Sequence, residues 1–522
     1  MKTTNNTCWH LQVELLTPLH IGSGTKLVNE CDYFKKAVNA VVVDQNYLFQ
    51  SLANSNEDLQ ALVSRTTQLS DLAKIVGEEQ LGLSYPLKSF EKGTPLPAKE
   101  IQAHIKDGFF RPYIPGSSLK GAIRTVLFAE WIAQQDQATI QNALPQPPLP
   151  HQKKHFLKTR AAAELSQQCF AQHAFKRSKV PNFDFLRALH VGDIVFEAKD
   201  LTITDVRCLN LRGNPLQVHW KDVGTNRDER QWQDTHGIFA ESLLPETHGI
   251  LTLQVDNFLF ENAIAIELLK LPNQIGLNNF QNFKQLLNHH AHQRLTQEHA
   301  FFKQYGVSSA AQVCQELLKQ INTTTDTAYL QVGWGNGWRG ITGDWMDESL
   351  EKQIRQWYSL GRVDKPFPKT RRLIIKQGQP SLPFGWLRIY SPESSQTWIQ
   401  QRYQQQQQQQ QIEAAKAAQA HREQQAAAQQ IAAEAQRQAQ LPPLERMIET
   451  VIAATPQQAD YISLLQALQQ GRWESQADQN AVAQTIRERM QAAKIWKTTT
   501  NARKPERDKN YQRTLEVLKW LK

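Results

Sequence analysis

The stretch YIPGSSLKGAIRTVLF (113–128) predicts an extended segment, a glycine turn and then a helix. Gly116 supplies the turn, and Ser117 or Ser118 can cap the helix that follows. Apolar residues then recur every three or four positions, which is typical of a helix with one buried face. Free backbone N–H groups at such a helix start attract phosphate.

Cations follow this turn at helical spacing. Lys120 and Arg124 are four positions apart and therefore share one face of the helix. Together with the turn they predict a binding site for a phosphate backbone. The alternative for this segment is an ordinary tight turn without a ligand.

Two further glycine-rich segments, LTPLHIGSGTK (15–26) and VGWGNGWRG (332–340), also follow extended stretches. Glycine lets a backbone approach a ligand closely and supplies positive φ. Trp334 and Trp338 either stack on bases or belong to the core. In these two segments we predict nucleic-acid contacts from His20, Gly22, Ser23, Gly24, Lys26, Gly333, Gly335, Asn336, Gly337, Trp338 and Arg339.

Nucleotide-cofactor motifs explain these glycines less well. Gly335-x-Gly337-x-x-Gly340 matches the dinucleotide fingerprint, but the residues after it offer no second strand ending in an acidic residue. No segment has the GxxxxGK-[ST] order of a Walker A loop. The sequence therefore argues against a dinucleotide enzyme and a phosphate-hydrolysing motor, and we predict no cofactor.

Composition narrows the class of protein. The 59 Lys and Arg residues exceed the 50 Asp and Glu residues, and this net charge of +9 favours a polyanionic partner such as nucleic acid. No apolar run reaches the roughly 18 residues of a membrane helix. The start lacks the apolar region of a signal peptide, and the five cysteines are far apart. We therefore expect a soluble cytoplasmic protein with reduced thiols.

Several side chains allow two interpretations. His20 can contact phosphate or act as an acid or base, but the sequence favours a histidine that orders the turn by hydrogen bonding. Asp32 can position a metal ion beside RNA, but a structural role is favoured. The histidines of 289–299 have no acidic or cysteine partners at ligand spacing, so we predict no metal site.

The three glycine-rich segments together resemble the RAMP superfamily, the RNA-binding subunits of CRISPR effector complexes. FAESLLPETHGILTLQVD (239–256), PFPKTRRLI (366–374) and PFGWLRIY (383–390) further resemble the fifth subunit of the type III-A (Csm) complex. The resemblance covers roughly residues 9–392. The stretch PFPKTRRLI contains the cations Lys369, Arg371 and Arg372. They either bind phosphate, which the resemblance favours, or prevent unwanted pairing at a sheet edge.

The resemblance implies an α+β fold of one or two ferredoxin-like domains, with two favoured, whose sheets bind single-stranded RNA. The extension beyond Tyr403 departs from the family pattern, and its apolar periodicity predicts that it is helical. It implies a non-catalytic subunit that caps the 3′ end of the guide RNA and supports its maturation and complex assembly in antiviral defence. The implied partners are guide (CRISPR) RNA and other type III effector subunits, especially the backbone RAMP subunit, with host nucleases as further candidates. The alternative is a RAMP endoribonuclease that processes guide RNA or cuts target RNA, with His20 and Asp32 as its candidate catalytic residues.

Composition also suggests how the chain is divided. We predict a first RAMP domain over 1–145, a second RAMP-like region over 146–400, a Gln/Ala-rich linker over 401–441 and a small basic helical domain over 442–522. Gln fills 17 and Ala 12 of the 40 positions from Gln401, which predicts a solvated helix or a disordered linker. The charge run near the end either binds RNA or is solvated.

Overall fold

A computed structural model describes residues 6–54, 68–77, 81, 83–93, 96–97, 99–144, 162–171, 182–225, 227–269, 277–343, 345–358, 361–500 and 505–521. The chain forms two units, Met1–Tyr403 and Gln404–Lys522. Within the described ranges, no helix has both the length and the apolar character that crossing a membrane requires.

The first unit contains two large sheets and a short two-stranded one. Their strands are β1 (Asn6–Leu15), β2 (Gly22–Val28), β3 (Tyr33–Lys36), β4 (Asn39–Val43), β5 (Leu83–Ser89), β6 (Glu100–His104), β7 (Tyr113–Ile114), β8 (Leu189–Val191), β9 (Ile194–Val195), β10 (Leu201–Arg212), β11 (Gln217–Lys221), β12 (Asp228–Glu229), β13 (Ile238–Leu243), β14 (His248–Asp256), β15 (Thr327–Gln331), β16 (Thr370–Lys376), β17 (Gln379–Leu382) and β18 (Trp386–Tyr390).

Helices lie between these strands and follow them. They are α1 (Gln45–Asn54), α2 (Leu69–Val76), α3 (Gly116–Ala133), α4 (Gln137–Ala143), α5 (Ala163–Phe170), α6 (Phe258–Glu261), α7 (Ala263–Leu269), α8 (Phe280–Gln304), α9 (Ser308–Thr323), α10 (Glu348–Tyr358), α11 (Pro392–Gln440), α12 (Pro443–Ala453), α13 (Asp460–Gln469), α14 (Gln476–Ala492) and α15 (Lys509–Leu518).

The first large sheet has a ferredoxin-like core. The strands β18, β1, β14 and β8 lie side by side, all antiparallel, and numbering these four along the chain gives the order 4-1-3-2. The helix α3 lies between the first and second of them in the chain, and α8 lies between the third and fourth. Leu119 of α3 and Phe283 of α8 join Leu11 and Leu253 of the sheet in one core. The predicted α+β, ferredoxin-like fold is confirmed.

The second large sheet has the order β2-β6-β13-β10-β5-β4-β3, with β11, β12, β16 and β17 attached to its side. The long strand β10 is its centre, because it pairs with β5, β11, β13 and β16. Both sheets take strands from 1–145 and from 146–400. Neither sheet thus begins or ends at residue 145, and the division of the first unit there stays a prediction.

The second unit is helical. The Gln/Ala-rich stretch continues α11 as one exposed helix, in agreement with the solvated-helix interpretation. The helices α12 to α15 enclose a separate core that includes Ile448, Leu464, Val482, Met490 and Val517. Apolar residues at helical spacing supply this core.

Candidate nucleic-acid interface

The three glycine-rich segments line one open groove of the first unit. The first segment contributes the start of β2, the second contributes one face of α3, and the third contributes the loop after β15. The lining residues are Ile21, Gly22, Ser118, Gly121, Ala122, Thr125, Gln331, Val332, Gly333, Trp334, Asn336, Gly340 and Ile341. Segments that are up to about 300 positions apart in the chain thus form a single surface.

Backbone contacts hold the first and third segments together. The Trp334 N–H donates to the His20 carbonyl at 2.8 Å. Gly333 has a φ of +92°, and a Cβ there would lie 2.6 Å from that carbonyl oxygen. Gly385, with a φ of +77°, approaches the Val332 carbonyl even more closely, at 1.9 Å for a Cβ. These two positions require glycine because any side chain would separate the loops.

His20 supports the groove from inside the protein. Its ring is 3% exposed, and Nδ1 donates to the Glu241 carbonyl at 2.6 Å. The ring packs edge-to-face against Trp334 and His104. Burial lowers the pKa of His20. The buried ring offers little surface for the predicted phosphate contact, and its hydrogen bond to Glu241 fits the favoured interpretation, in which His20 orders the turn.

His104 continues this support. Its Nδ1 accepts the Ile21 N–H at 3.2 Å, so Nε2 carries the proton and donates to the Tyr113 carbonyl at 3.3 Å. Burial lowers the pKa of His104 to about 3. The two imidazoles, packed edge-to-face, are thus neutral hydrogen-bonding groups under the groove.

A buried carboxylate fixes the same region. The Glu241 side chain on β13 is fully buried and accepts from the Tyr85 hydroxyl at 2.6 Å and the His104 N–H at 2.8 Å. It also forms an ion pair with Lys106, whose side chain is 12% exposed. The network joins β5, β6 and β13 below the groove. Our sequence analysis missed it, although an acidic residue inside the apolar run IFAESLL (238–244) is a usable signal.

The cations of α3 are held by the protein itself. The Lys120 Nζ donates to the Leu189 carbonyl at 2.8 Å, and burial lowers its pKa. Arg124 pairs with Asp184 at 2.6 Å and lies 3.6 Å from the ring centre of Phe170. These contacts tie α3 to α5, to Asp184 and to the start of β8. Both cations thus have partners within the protein, and the phosphate site that Lys120 and Arg124 form together stays a prediction.

The start of α3 is also occupied. The Gly116 N–H donates to the Asp193 carboxylate at 2.7 Å, and a Cβ on Gly116 would lie 2.0 Å from the Val191 carbonyl oxygen. Ser118 and Leu119 donate their N–H groups to the Pro115 carbonyl. Gly116 therefore permits close packing on β8, and the groove is lined by α3 from Ser118 onward, two residues further along the chain.

Replacing Arg124 by alanine should lower the free energy of unfolding by about 1 kcal/mol, because an ion pair and a cation–π contact are lost together. Urea unfolding measures this change, and Arg111→Ala, which breaks the more exposed pair with Asp107, is the matched control with a smaller loss. The salt dependence of RNA binding should not change. If Arg124→Ala leaves the stability unchanged and makes RNA binding weaker and less salt-dependent, the result would favour the predicted contact between Arg124 and phosphate.

The other predicted residues of the first segment lie at the edge of the second sheet. Ser23 and Gly24 are exposed on β2, and the Ser23 hydroxyl donates to the Ala103 carbonyl. Lys26 forms an exposed ion pair with Glu100 of β6 at 2.6 Å. These residues remain reachable by a ligand beside the groove.

The third segment divides into a groove side and a packing side. A Cβ on Gly335 would lie 2.4 Å from the Phe384 ring, and Gly337 is open. Trp338 packs against Phe367, with ring centres 4.8 Å apart. Arg339 starts a π-helical turn (Arg339–Gly343) and donates to the Met346 carbonyl at 3.4 Å.

The cations of β16 lie behind that loop. Arg371 pairs with Glu298 at 2.6 Å and lies 4.1 Å from the Phe301 ring centre. The Arg372 guanidinium lies 4.8 Å from the ring centre of Trp334, which itself faces the groove. Lys369 is half-buried just before the strand. Arg372 therefore places positive charge behind the one aromatic ring among the groove's lining residues.

Asp32 has a local role. Its carboxylate accepts the Val28 N–H at 2.7 Å and the Gln45 side-chain amide at 2.8 Å, which orders the turn between β2 and β3. This agrees with the structural interpretation. Among the described residues, no group of three or more His, Cys, Asp or Glu side chains could hold a metal ion.

Comparisons with known proteins agree with this fold. The model of the RAMP superfamily matches residues 12–177, which include the first two glycine-rich segments. Among 34 matching chains of solved structures is one from the cryo-EM structure of a Csm–crRNA–target RNA ternary complex in a type III-A CRISPR–Cas system. That chain is 22% identical with a TM-score of 0.52, and the match covers 73% of this chain and 100% of that chain. No curated protein matches.

These findings confirm the RAMP resemblance through the family match over 12–177 and the shared fold. At 22% identity the structural match shows the fold alone. The assignment to the fifth subunit stays a prediction.

Proposed function

We propose that this protein is a non-catalytic RNA-binding subunit of a type III CRISPR ribonucleoprotein and that its groove holds a ribose–phosphate strand. The observation that carries the proposal is the convergence of the three glycine-rich segments on one open groove. The RAMP match over 12–177 and the shared fold with a chain of a Csm–crRNA–target RNA complex support it. In this role the subunit caps the 3′ end of the guide RNA and contacts the backbone RAMP subunit.

The groove suits a polymer backbone better than a compact cofactor. It is open, and small residues such as Gly22, Gly121, Ala122 and Gly333 let a strand lie close to the main chain. Ser118 supplies a hydroxyl for phosphate or ribose oxygens. Such contacts fit single-stranded RNA of any sequence, since they reach the backbone and leave the bases free.

We infer a non-catalytic role from the two candidate catalytic residues. The His20 ring is buried, and the Asp32 carboxylate holds a turn through two hydrogen bonds. Purified protein incubated with repeat RNA, with and without Mg²⁺, tests this directly. Specific cleavage that His20→Ala or Asp32→Ala abolishes would favour the endoribonuclease instead. Host nucleases as partners stay a prediction from the resemblance.

Gly121→Glu should weaken binding of single-stranded RNA about tenfold, or about 1.4 kcal/mol, because it places a carboxylate among the phosphates. Gly121 is exposed on α3, and a Cβ there meets no atom within 4 Å. Glutamate is also a better helix former than glycine, so the fold should persist. Fluorescence anisotropy with a labelled RNA measures the affinity.

Gly121→Gln is the matched control because it has the same size without the charge, and it should keep its affinity within about twofold. Equal affinities of the two variants would show that RNA does not use this groove. Purification of the tagged protein from its native cells then tests the assignment to a complex. The proposal expects guide RNA and other effector subunits to co-purify; their absence would contradict it.

A further inference from the structure

The charges of the second unit are segregated along the chain. Residues 443–486 hold two basic and five acidic residues, whereas 487–522 hold 11 basic and four acidic residues. The last 36 residues thus carry a net charge of +7, out of +9 for the whole chain. Most of the net positive charge that favours a polyanionic partner therefore lies at this end of the sequence.

The basic segment is fastened to the helical core. The Lys497 N–H donates to the hydroxyl of the fully buried Thr514 at 3.1 Å. Asp508 accepts from Lys497 Nζ at 3.2 Å and from the Thr500 hydroxyl at 3.0 Å. It also caps α15 by accepting the Tyr511 N–H. The described parts of the connection between α14 and α15, 493–500 and 505–508, are thus held against the helical core by hydrogen bonds.

Most of the cations that the structure describes in this segment are not neutralised. Within the described part of the chain, the ion pairs of the segment are Arg489–Asp460, Lys497–Asp508 and Lys519–Glu516. No carboxylate of the described residues pairs with Arg487, Lys494, Arg507, Lys509 or Arg513. Lys494, Arg507 and Lys509 are exposed. Arg503 and Lys504 lie outside the described residues.

Aromatic rings accompany these cations. The Arg487 guanidinium lies 5.7 Å from the ring centre of the half-buried Trp496, and Arg513 lies 5.9 Å from that of Tyr461. Unpaired cations beside partly exposed aromatic rings are the combination that binds single-stranded nucleic acid. The cations meet phosphates, and the rings stack on bases.

We propose that the described residues 487–500 and 505–521 form a second nucleic-acid-binding face, distinct from the groove of the first unit. Lys494, Arg507 and Lys509 contact the phosphates of a single strand, and Trp496 with Arg487 stacks on a base. The face binds RNA and DNA alike, since these contacts do not involve the 2′-hydroxyl. It gives the protein an attachment to nucleic acid that does not depend on the proposed guide-RNA groove.

The test variant is Arg507→Glu with Lys509→Glu in the full chain. Both residues are exposed, and an acidic residue at Lys509, the first residue of α15, suits the helix dipole, so the fold should persist. Lys416→Glu with Arg422→Glu on the exposed helix α11 changes the net charge equally and is the matched control. Anisotropy with labelled single-stranded RNA and DNA of one sequence measures the affinities.

The test variant should bind both strands about fivefold more weakly, with a salt slope smaller by roughly 1.4, whereas the control changes neither. Hydrogen exchange separates the two surfaces. RNA should protect peptides of 487–521 in wild type and in Gly121→Glu alike. If the test and control variants bind equally and RNA does not protect 487–521, this proposal is overturned. The proposal that RNA binds the groove of the first unit is not affected by that result. Protection that disappears in Gly121→Glu would also overturn the proposal of a second face.

Discussion

Glu241→Ala should lower the free energy of unfolding of the first unit by about 3–5 kcal/mol. The Glu241 carboxylate is fully buried. Its removal leaves the Tyr85 hydroxyl and the His104 N–H without this acceptor, and the Lys106 ammonium keeps the His104 carbonyl at 3.1 Å but loses its counter-ion. An uncompensated ammonium in a site with little access to water carries most of this cost. Urea unfolding of the full chain measures it, with hydrogen exchange of β13 identifying the transition of the first unit.

Two variants bracket this result. Glu241→Gln keeps a hydrogen-bond acceptor but removes the charge, so its loss should lie between those of wild type and alanine. Glu100→Ala breaks the exposed ion pair with Lys26 and should cost less than about 1 kcal/mol. If Glu241→Ala proves no more costly than Glu100→Ala, the buried network does not hold the floor of the groove.

Local patterns predict local structure in this chain. The alternation from Trp9 to Leu15 predicts β1, and Leu11, Val13 and Leu15 are indeed fully buried. The pattern cannot show that β1 pairs with β14, more than 230 positions later, or with β18. It also suggests that Glu14 faces solvent. Glu14 is buried instead, because Arg388 and Tyr390 of β18 bind its carboxylate.

The same limit applies to the candidate site: local sequence predicts its bends but not the distant partners of its side chains. The glycine-rich segments predict bends that admit a backbone, and the structure brings these bends together. Helical spacing places Lys120 and Arg124 on one face of α3. It cannot show that this face turns toward Leu189 and Asp184, which lie 60 or more positions later in the chain. The tertiary fold determines which distant residues become partners of a side chain. The pattern of neighbouring residues in the sequence therefore cannot predict them.

The stability of the first unit should fall as the pH is lowered from about 6.5 toward 3. Burial lowers the pKa of His104 to about 3 from its ordinary value of 6.5. Between these pH values His104 binds a proton in the unfolded chain but not in the folded protein. The full stability is present above the unfolded pKa and is lost at about 1.4 kcal/mol per pH unit below it. His20, whose pKa burial also lowers, adds a loss of the same sign.

At pH 5 the His104 contribution should amount to about 2 kcal/mol, so His104→Gln should show a shallower loss between pH 7 and pH 5 than wild type. Glutamine can accept from the Ile21 N–H and donate to the Tyr113 carbonyl, which keeps the geometry while removing the titrating group. The helices α12 to α15 are an internal reference, since residues 443–522 contain no histidine. Parallel pH profiles of wild type and His104→Gln would mean that His104 already accepts a proton in the folded protein. That result would contradict the conclusion that the two imidazoles under the groove are neutral.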